Sequence, residues 1–200
     1  MGKKPIIVFC GLMGSGKTTL SKYFLDKFDD YQRFNTDDVR RILGKTVFDR
    51  KDTPMVNQYM YSRARELISA GKGVVFDSAY KLQDARQKIY KIAREMNTAV
   101  LVIECTCSSE TAIKRITSRP IKDKLHQPTR DVKVYYEYAK IWESPSLDLK
   151  DAENAHVSLA KINTDENKLE IIKISDKDDD VIKAVMDLIK KELNNFNPLI

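Results

Sequence analysis

The segment Gly11-Leu12-Met13-Gly14-Ser15-Gly16-Lys17-Thr18 has the G-x-x-x-x-G-K-[ST] spacing, and each position in it serves phosphate chemistry. Glycines remove side chains that would keep the backbone off a phosphate chain, and they permit unusual backbone angles. The loop N–H groups then point inward, backed by the positive end of the helix that follows. Lys17 can reach β- and γ-phosphates, and Thr18 can place its hydroxyl on a magnesium ion. An apolar run, Pro5–Cys10, precedes the loop and a helix-compatible stretch, Thr18–Phe28, follows it. Gly11, Met13, Gly14, Ser15, Gly16, Lys17, Thr18 and Thr19 are therefore the expected nucleotide contacts, with Thr18 the metal ligand. ATP and Mg2+ are the expected cofactors.

Nucleotide binding alone does not separate a kinase from an ATPase or a switch. The segment Phe34-Asn35-Thr36-Asp37-Asp38-Val39-Arg40-Arg41 closes a second apolar run. A carboxylate there can accept or orient the proton of a hydroxyl that attacks the terminal phosphate. Arg40 lies one helical turn beyond Asp37, so both can face one substrate. The competing reading is a helix cap, with Thr36 or Asp37 satisfying the first N–H groups of the next helix. A third run ends at Asp77, where a carboxylate can hold a magnesium-bound water or orient Arg40 and substrate groups. A purely structural strand-end aspartate remains the alternative. Arg115 and Arg119 share a helix face, and Pro120 ends that helix before a polar, lysine-rich loop to Arg130. An exposed basic helix end would complement the helix dipole equally well.

Together these residues resemble the P-loop kinases related to polynucleotide 5′-hydroxyl kinase, a superfamily that includes zeta-toxin-like and gluconate-kinase-like enzymes. The resemblance rests on the phosphate loop, on Asn35-Thr36-Asp37-Asp38-Val39-Arg40, and on Val74–Tyr80 followed by Arg86, and it covers roughly residues 5–143. It implies an ATP-dependent phosphotransferase. Asp37 would be the general base, Arg40 the contact to a substrate phosphate, and Asp77 a further substrate-side carboxylate. The region 119–131 looks like the lid of small P-loop kinases, with Arg119 on the transferred phosphate and Arg115 beside it on the nucleotide. Lys17, Asp37 and Arg119 thus form the expected catalytic set. The 5′-hydroxyl of RNA or DNA is the leading acceptor; a sugar, nucleoside or sugar nucleotide is the alternative. A slow ATP-dependent switch is the rival from another class, and a growth-arresting, toxin-like kinase is a third possibility.

These residues need a scaffold that brings strand ends together. Strand-like runs at Pro5–Cys10, Tyr31–Asn35, Gly73–Asp77 and Thr98–Cys105 alternate with helix-period segments. Val56, Tyr59, Met60, Leu67 and Ile68 form one helical stripe, and Leu82, Ala85, Ile89, Ile92, Ala93 and Met96 another. Such alternation predicts an α/β chain: a parallel sheet between two helical layers, of adenylate-kinase type once the resemblance is added. Ligands in these sheets bind at the carboxyl ends of strands, where the phosphate loop, Asp37 and Asp77 all fall. Val157–Asn163 and Lys168–Ile174 read as a hairpin around Thr164–Asn167. Asp176–Asp180 then leads an amphipathic helix carrying Val181, Val185, Leu188, Ile189 and Leu193 on its inner face. Val132, Tyr135, Tyr136, Ala139 and Trp142 make an aromatic stripe read as a packing face.

Composition fits one domain, residues 1–200, with a real core: 42% hydrophobic and 32% charged residues. No apolar run approaches the roughly 20 residues that span a bilayer, and Pro5–Cys10 is too short for a signal-peptide core. No membrane association and a cytoplasmic location are expected. The net charge of +6 suits an anionic partner without naming one, and oligomeric state is left open. Cys10, Cys105 and Cys107 lack a disulfide framework. A Cys105/Cys107/His126 metal site is less economical than buried thiols.

Overall fold

The structure is a computed structural model describing residues 3–120, 124–125, 131–150, 156–175 and 179–193. Six strands form one sheet: β1 (Ile6–Cys10), β2 (Tyr31–Asn35), β3 (Gly73–Asp77), β4 (Val100–Thr106), β5 (Val157–Asn163) and β6 (Lys168–Lys173). Their spatial order is β2-β3-β1-β4-β5-β6. The first five run parallel, and β6 returns antiparallel to β5. The α/β fold of the sequence reading is therefore present, with its carboxyl-terminal hairpin.

Alternation along the central strands divides the core in two. Ile6, Val8, Val74, Phe76, Val100 and Val102 face one way. They meet α3 (Thr53–Ser69) through Val56, Met60, Leu67 and Ile68, and α4 (Gln83–Glu95) through Ile89, Ile92 and Ala93. Ile7, Phe9, Val75, Leu101 and Ile103 face the other way. There they meet Leu20 and Phe24 of α1 (Lys17–Leu25), and Ile182, Val185 and Ile189 of α7 (Asp179–Leu193). A strand buried on both faces reads as a continuous apolar run, which is why β1, β3 and β4 were conspicuous in the sequence. A third, smaller cluster joins Met13 of the phosphate loop to Ala112 and Ile116 of α5 (Ser109–Ser118) and Tyr135 of α6 (Val132–Lys140). Tyr135 is thus a packing residue, whereas Tyr136 is half exposed.

Arg86 is wholly buried on α4 and forks onto Asp148, with Nε–Oδ2 at 2.6 Å and Nη2–Oδ1 at 2.9 Å. Tyr90 Oη donates to the same carboxylate at 2.6 Å, and Arg86 Nη1 donates to the Tyr80 carbonyl at 2.8 Å. The arginine that contributed to the sequence resemblance therefore anchors the segment following Asp77 to the 3-10 turn Pro145–Lys150. Most of the expected lid, with His126 and Arg130, lies outside the described residues, as do Asp176–Asp178 ahead of α7.

Candidate functional site

The carboxyl ends of β1, β2 and β3 open onto one cleft of about 1340 Å³. Gly14, Lys17 and Thr18 line it on one side, Asp37 and Arg40 on another, and Asp77 and Arg119 complete it. Met13, Gly16 and Thr19 also reach the cleft, and Ser15 is buried beneath the loop. The convergence expected from strand-end placement is therefore present.

Local chemistry shapes each wall. Gly14 stands at φ +82°, and a Cβ there would meet the Ala112 carbonyl oxygen at 2.6 Å, so only glycine fits beneath α5. Gly16, at φ +87°, begins α1 without any side-chain cap. The first-turn N–H groups are thus left for a ligand, and the helix brings Lys17 rather than an acidic residue to that end. Lys17 Nζ donates to the Leu12 carbonyl at 2.7 Å and to Ser15 Oγ at 3.4 Å. Burial pushes its ammonium below the ordinary lysine value, and the charge of Asp77 pulls the other way. Burial and the neighbouring Arg115 likewise lower Arg119, against Asp77. Two cations held in this way favour an anion between them.

On β2, the competition between cap and base is resolved by a residue neither reading named. Asn35 Oδ1 accepts from the backbone N–H of Asp37 at 3.0 Å and of Asp38 at 3.4 Å, capping α2 (Thr36–Ile42). The Asp37 carboxylate is consequently not needed as the cap. It accepts from Arg40 Nη1 at 3.3 Å, so the pair does present together. Arg40 is buried, stacks on Phe48 at 4.6 Å and donates to Thr53 Oγ1 at 3.3 Å, while its Nε has no partner among the described residues.

Asp77 is completely buried, and among the described residues only one of its oxygens has hydrogen-bond partners. Oδ2 accepts from Ser21 Oγ at 2.9 Å and from Arg33 Nε and Nη2 at 2.9 and 2.6 Å. Oδ1 is buried without a hydrogen-bond partner among the described residues. An acceptor left open in the same cleft as Thr18 fits magnesium, which binds through few protein oxygens and keeps several waters and phosphate oxygens. Among the described residues no group of three or more His, Cys, Asp or Glu forms a metal cluster. Cys10 and Cys105 are buried thiols that burial pushes well above their usual range.

Arg115 does not point freely into the cleft. Its Nη1 donates to the Gly14 carbonyl at 3.1 Å and to Thr164 Oγ1 at 2.8 Å. Thr164 Oγ1 also lies 3.3 Å from the Ser15 carbonyl. The β5–β6 turn is therefore the floor of the phosphate loop, and Arg115 rivets the two together.

A family model for an AAA domain matches residues 6–135, which contain the phosphate loop, Asp37, Arg40, Asp77, Arg115 and Arg119 but not Thr164 and the β5–β6 turn. The chain belongs to that family. It is a P-loop kinase-like protein, and membership implies nucleotide binding. No curated protein sequence matches this AAA-domain chain. Among solved structures it is similar to Kti12 of Chaetomium thermophilum bound to ADP-AlF3, at 17% identity, covering 94% of this chain and 99% of that one, with TM-score 0.60. A chain of a Pnkp1/Rnl/Hen1 complex shares 20% identity over 57% of this chain and 40% of its own length, with TM-score 0.51. The AvrRxo1-ORF1:AvrRxo1-ORF2 complex with sulphate ions matches at 12% identity over 99% of this chain and 65% of its own, with TM-score 0.63. At such identities the likeness is one of fold. No helix among the described residues of this AAA-domain protein is long and apolar enough to cross a membrane.

Four features of the site escaped the sequence reading: Asn35 as the cap, Arg33 and Ser21 on Asp77, Thr164 under the loop, and Tyr80. Tyr80 stands at φ +43° with its buried hydroxyl unpartnered among the described residues, in the same cleft. Of these, Asn35 alone carried a local signal, being a good N-cap type with aspartates two and three residues on, in the first helical turn.

Proposed function

We propose that the protein is an ATP-dependent phosphotransferase acting on a hydroxyl acceptor. The observation that carries this reading is the Asp37–Arg40 pair, held together at 3.3 Å in the wall of the same cleft as Lys17 and Thr18. Because Asn35 caps the helix, the Asp37 carboxylate is available to take the acceptor proton. The cleft also exceeds the roughly 300–1,000 Å³ of a typical small-ligand site, leaving room for donor and acceptor together.

Each residue then has a task. The loop N–H groups and Lys17 hold the donor phosphates, and their charge is strongest where negative charge builds up. Thr18 and Asp77 Oδ1 would hold magnesium. When bound, the ion supplies charge neutralisation across the phosphates. Asp37 orients the hydroxyl and accepts its proton, while Arg40, fixed by Phe48 and Thr53, binds the acceptor's own anionic group. Arg119, placed at the base of the lid, stabilises the transferred phosphoryl group. Arg115 acts on the nucleotide through the Gly14 carbonyl and Thr164.

A 5′-hydroxyl of RNA or DNA is the acceptor this reading favours. A buried arginine beside the base suits a hydroxyl whose neighbour carries a phosphate, and Lys22 and Lys81 add positive charge around the cleft. The test is transfer of γ-labelled phosphate from Mg-ATP to a 5′-hydroxyl oligonucleotide, with Asp37→Ala as control. Labelled oligonucleotide with the wild type and none with the variant is expected. Equal labelling by both would refute the role of Asp37. No labelling by the wild type would exclude this acceptor and redirect the search to small hydroxylated metabolites.

A further inference from the structure

The buried carboxylates Asp77 and Asp148 are each gripped by an arginine, but in different ways. Arg86 forks across both oxygens of Asp148, so that each carboxylate oxygen is satisfied. Such a pair is complete within the protein. Arg33 instead places two nitrogens on one oxygen of Asp77, Oδ2, where Ser21 Oγ joins it. Three donors therefore crowd one oxygen, while Oδ1, buried in the wall of the cleft, has none among the described residues. An arginine serving only to neutralise the charge would gain by taking both oxygens. The third nitrogen of Arg33, Nη1, reaches Asp38 Oδ2 at 2.9 Å. One guanidinium thus joins the end of β3 to the first turn of α2, beside Asp37.

We propose that Arg33 is a positioning residue: with Ser21 it holds Asp77 by Oδ2 so that Oδ1 stays open to magnesium or a magnesium-bound water, and through Asp38 it ties that oxygen's position to the helix bearing Asp37. The proposal rests on the phosphotransferase reading and deepens its metal step. It follows from elementary costs. A buried carboxylate with no partner is expensive, so Asp77 needs a counter-charge. A freely rotating one would meet Mg2+ in many orientations, whereas partners behind a ligand fix its direction. Lysine could supply the charge but not several fixed donors at once.

The test measures ATP binding to the full chain by calorimetry while Mg2+ is varied from none upward, so no acceptor is required. Arg33→Ala should raise the Mg2+ concentration needed for half-maximal enhancement of ATP binding by about 10–100-fold, the usual cost of losing a partner behind a metal ligand. Affinity for ATP without Mg2+ should change little, since Arg33 does not touch the phosphate loop. Asp77→Asn should show the same loss, and the double variant no more than Asp77→Asn alone. Arg33→Lys should fall between wild type and alanine, and it carries the same reading if the alanine variant does not fold. If the Arg33 variants keep the wild-type Mg2+ response while Asp77→Asn loses it, the proposal is overturned and the phosphotransferase reading stands. If Asp77→Asn keeps the response too, Asp77 is not the metal's carboxylate and the proposal is equally overturned. A wild type whose ATP binding ignores Mg2+ would instead count against the phosphotransferase reading itself.

Discussion

Replacing Arg86 with methionine removes one half of the buried fork to Asp148 while roughly keeping volume. Both side chains are fully buried, and the remaining carboxylate would keep the Tyr90 Oη donor at 2.6 Å. Breaking a buried pair by deleting one partner costs about 3–5 kcal/mol, because the other charge stays behind without its counter-ion. Against a typical total of roughly 5–15 kcal/mol, that is a large fraction. At about 2–4 °C per kcal/mol for a chain of this size, the midpoint of thermal unfolding should fall by about 6–20 °C. Removing both charges in Arg86→Met/Asp148→Leu should recover much of this loss. The double variant should end about 1–3 kcal/mol below wild type, since Tyr90 then lacks its acceptor. Urea and thermal denaturation would read these values, and ATP binding well below the midpoint should be close to wild type. A loss under about 1 kcal/mol for the single variant would refute the argument that this pair is desolvated. So would a double variant no more stable than the single one.

Other expectations are more direct. Asp37→Asn should lower kcat for the true acceptor by about 10²–10⁴-fold with little effect on ATP affinity, read by steady-state kinetics and calorimetry. Gly14→Ala should abolish ATP binding, because its Cβ would press on the Ala112 backbone at a left-handed φ; wild-type affinity would contradict the loop geometry. Glu104 is buried beneath Trp142, and burial raises its carboxyl above the ordinary 4.5, with Lys161 opposing the shift. A raised folded value means that its contribution to stability is full below 4.5 and is lost as pH climbs through the raised value. Glu104→Gln should therefore gain stability relative to wild type as pH rises through that window, seen in urea midpoints measured across pH. A pH-independent difference would refute it.

Much of the site was legible because its signals are local. The phosphate loop lies within eight consecutive residues, Gly11 to Thr18, and Asp37 and Arg40 lie within one helical turn. The central strands were legible because burial on both faces leaves uninterrupted apolar runs such as Ile6–Cys10. The supporting contacts were not. Arg33 meets Asp77 across 44 residues, Arg115 meets Thr164 across 49, and Arg86 meets Asp148 across 62. No periodicity encodes such pairs, because strand order alone decides which ends become neighbours. Arg86 shows the hazard: the helix after Asp77 was placed well, but its arginine turns inward onto Asp148, an aspartate for which the sequence offers no local signal.

The floor beneath the phosphate loop has a consequence for the order in which the molecule is built. Gly14 and Ser15 emerge early in synthesis, yet their carbonyls rest on Arg115 and on Thr164, whose backbone N–H is itself held by the Thr106 carbonyl at 2.8 Å. A nascent chain lacking β5 and its turn would carry the whole motif but not the surface against which it is shaped. Nucleotide capture should therefore begin only when the hairpin has joined the sheet. ATP would then reward the last step of assembly rather than the first, favouring complete molecules over partly made ones.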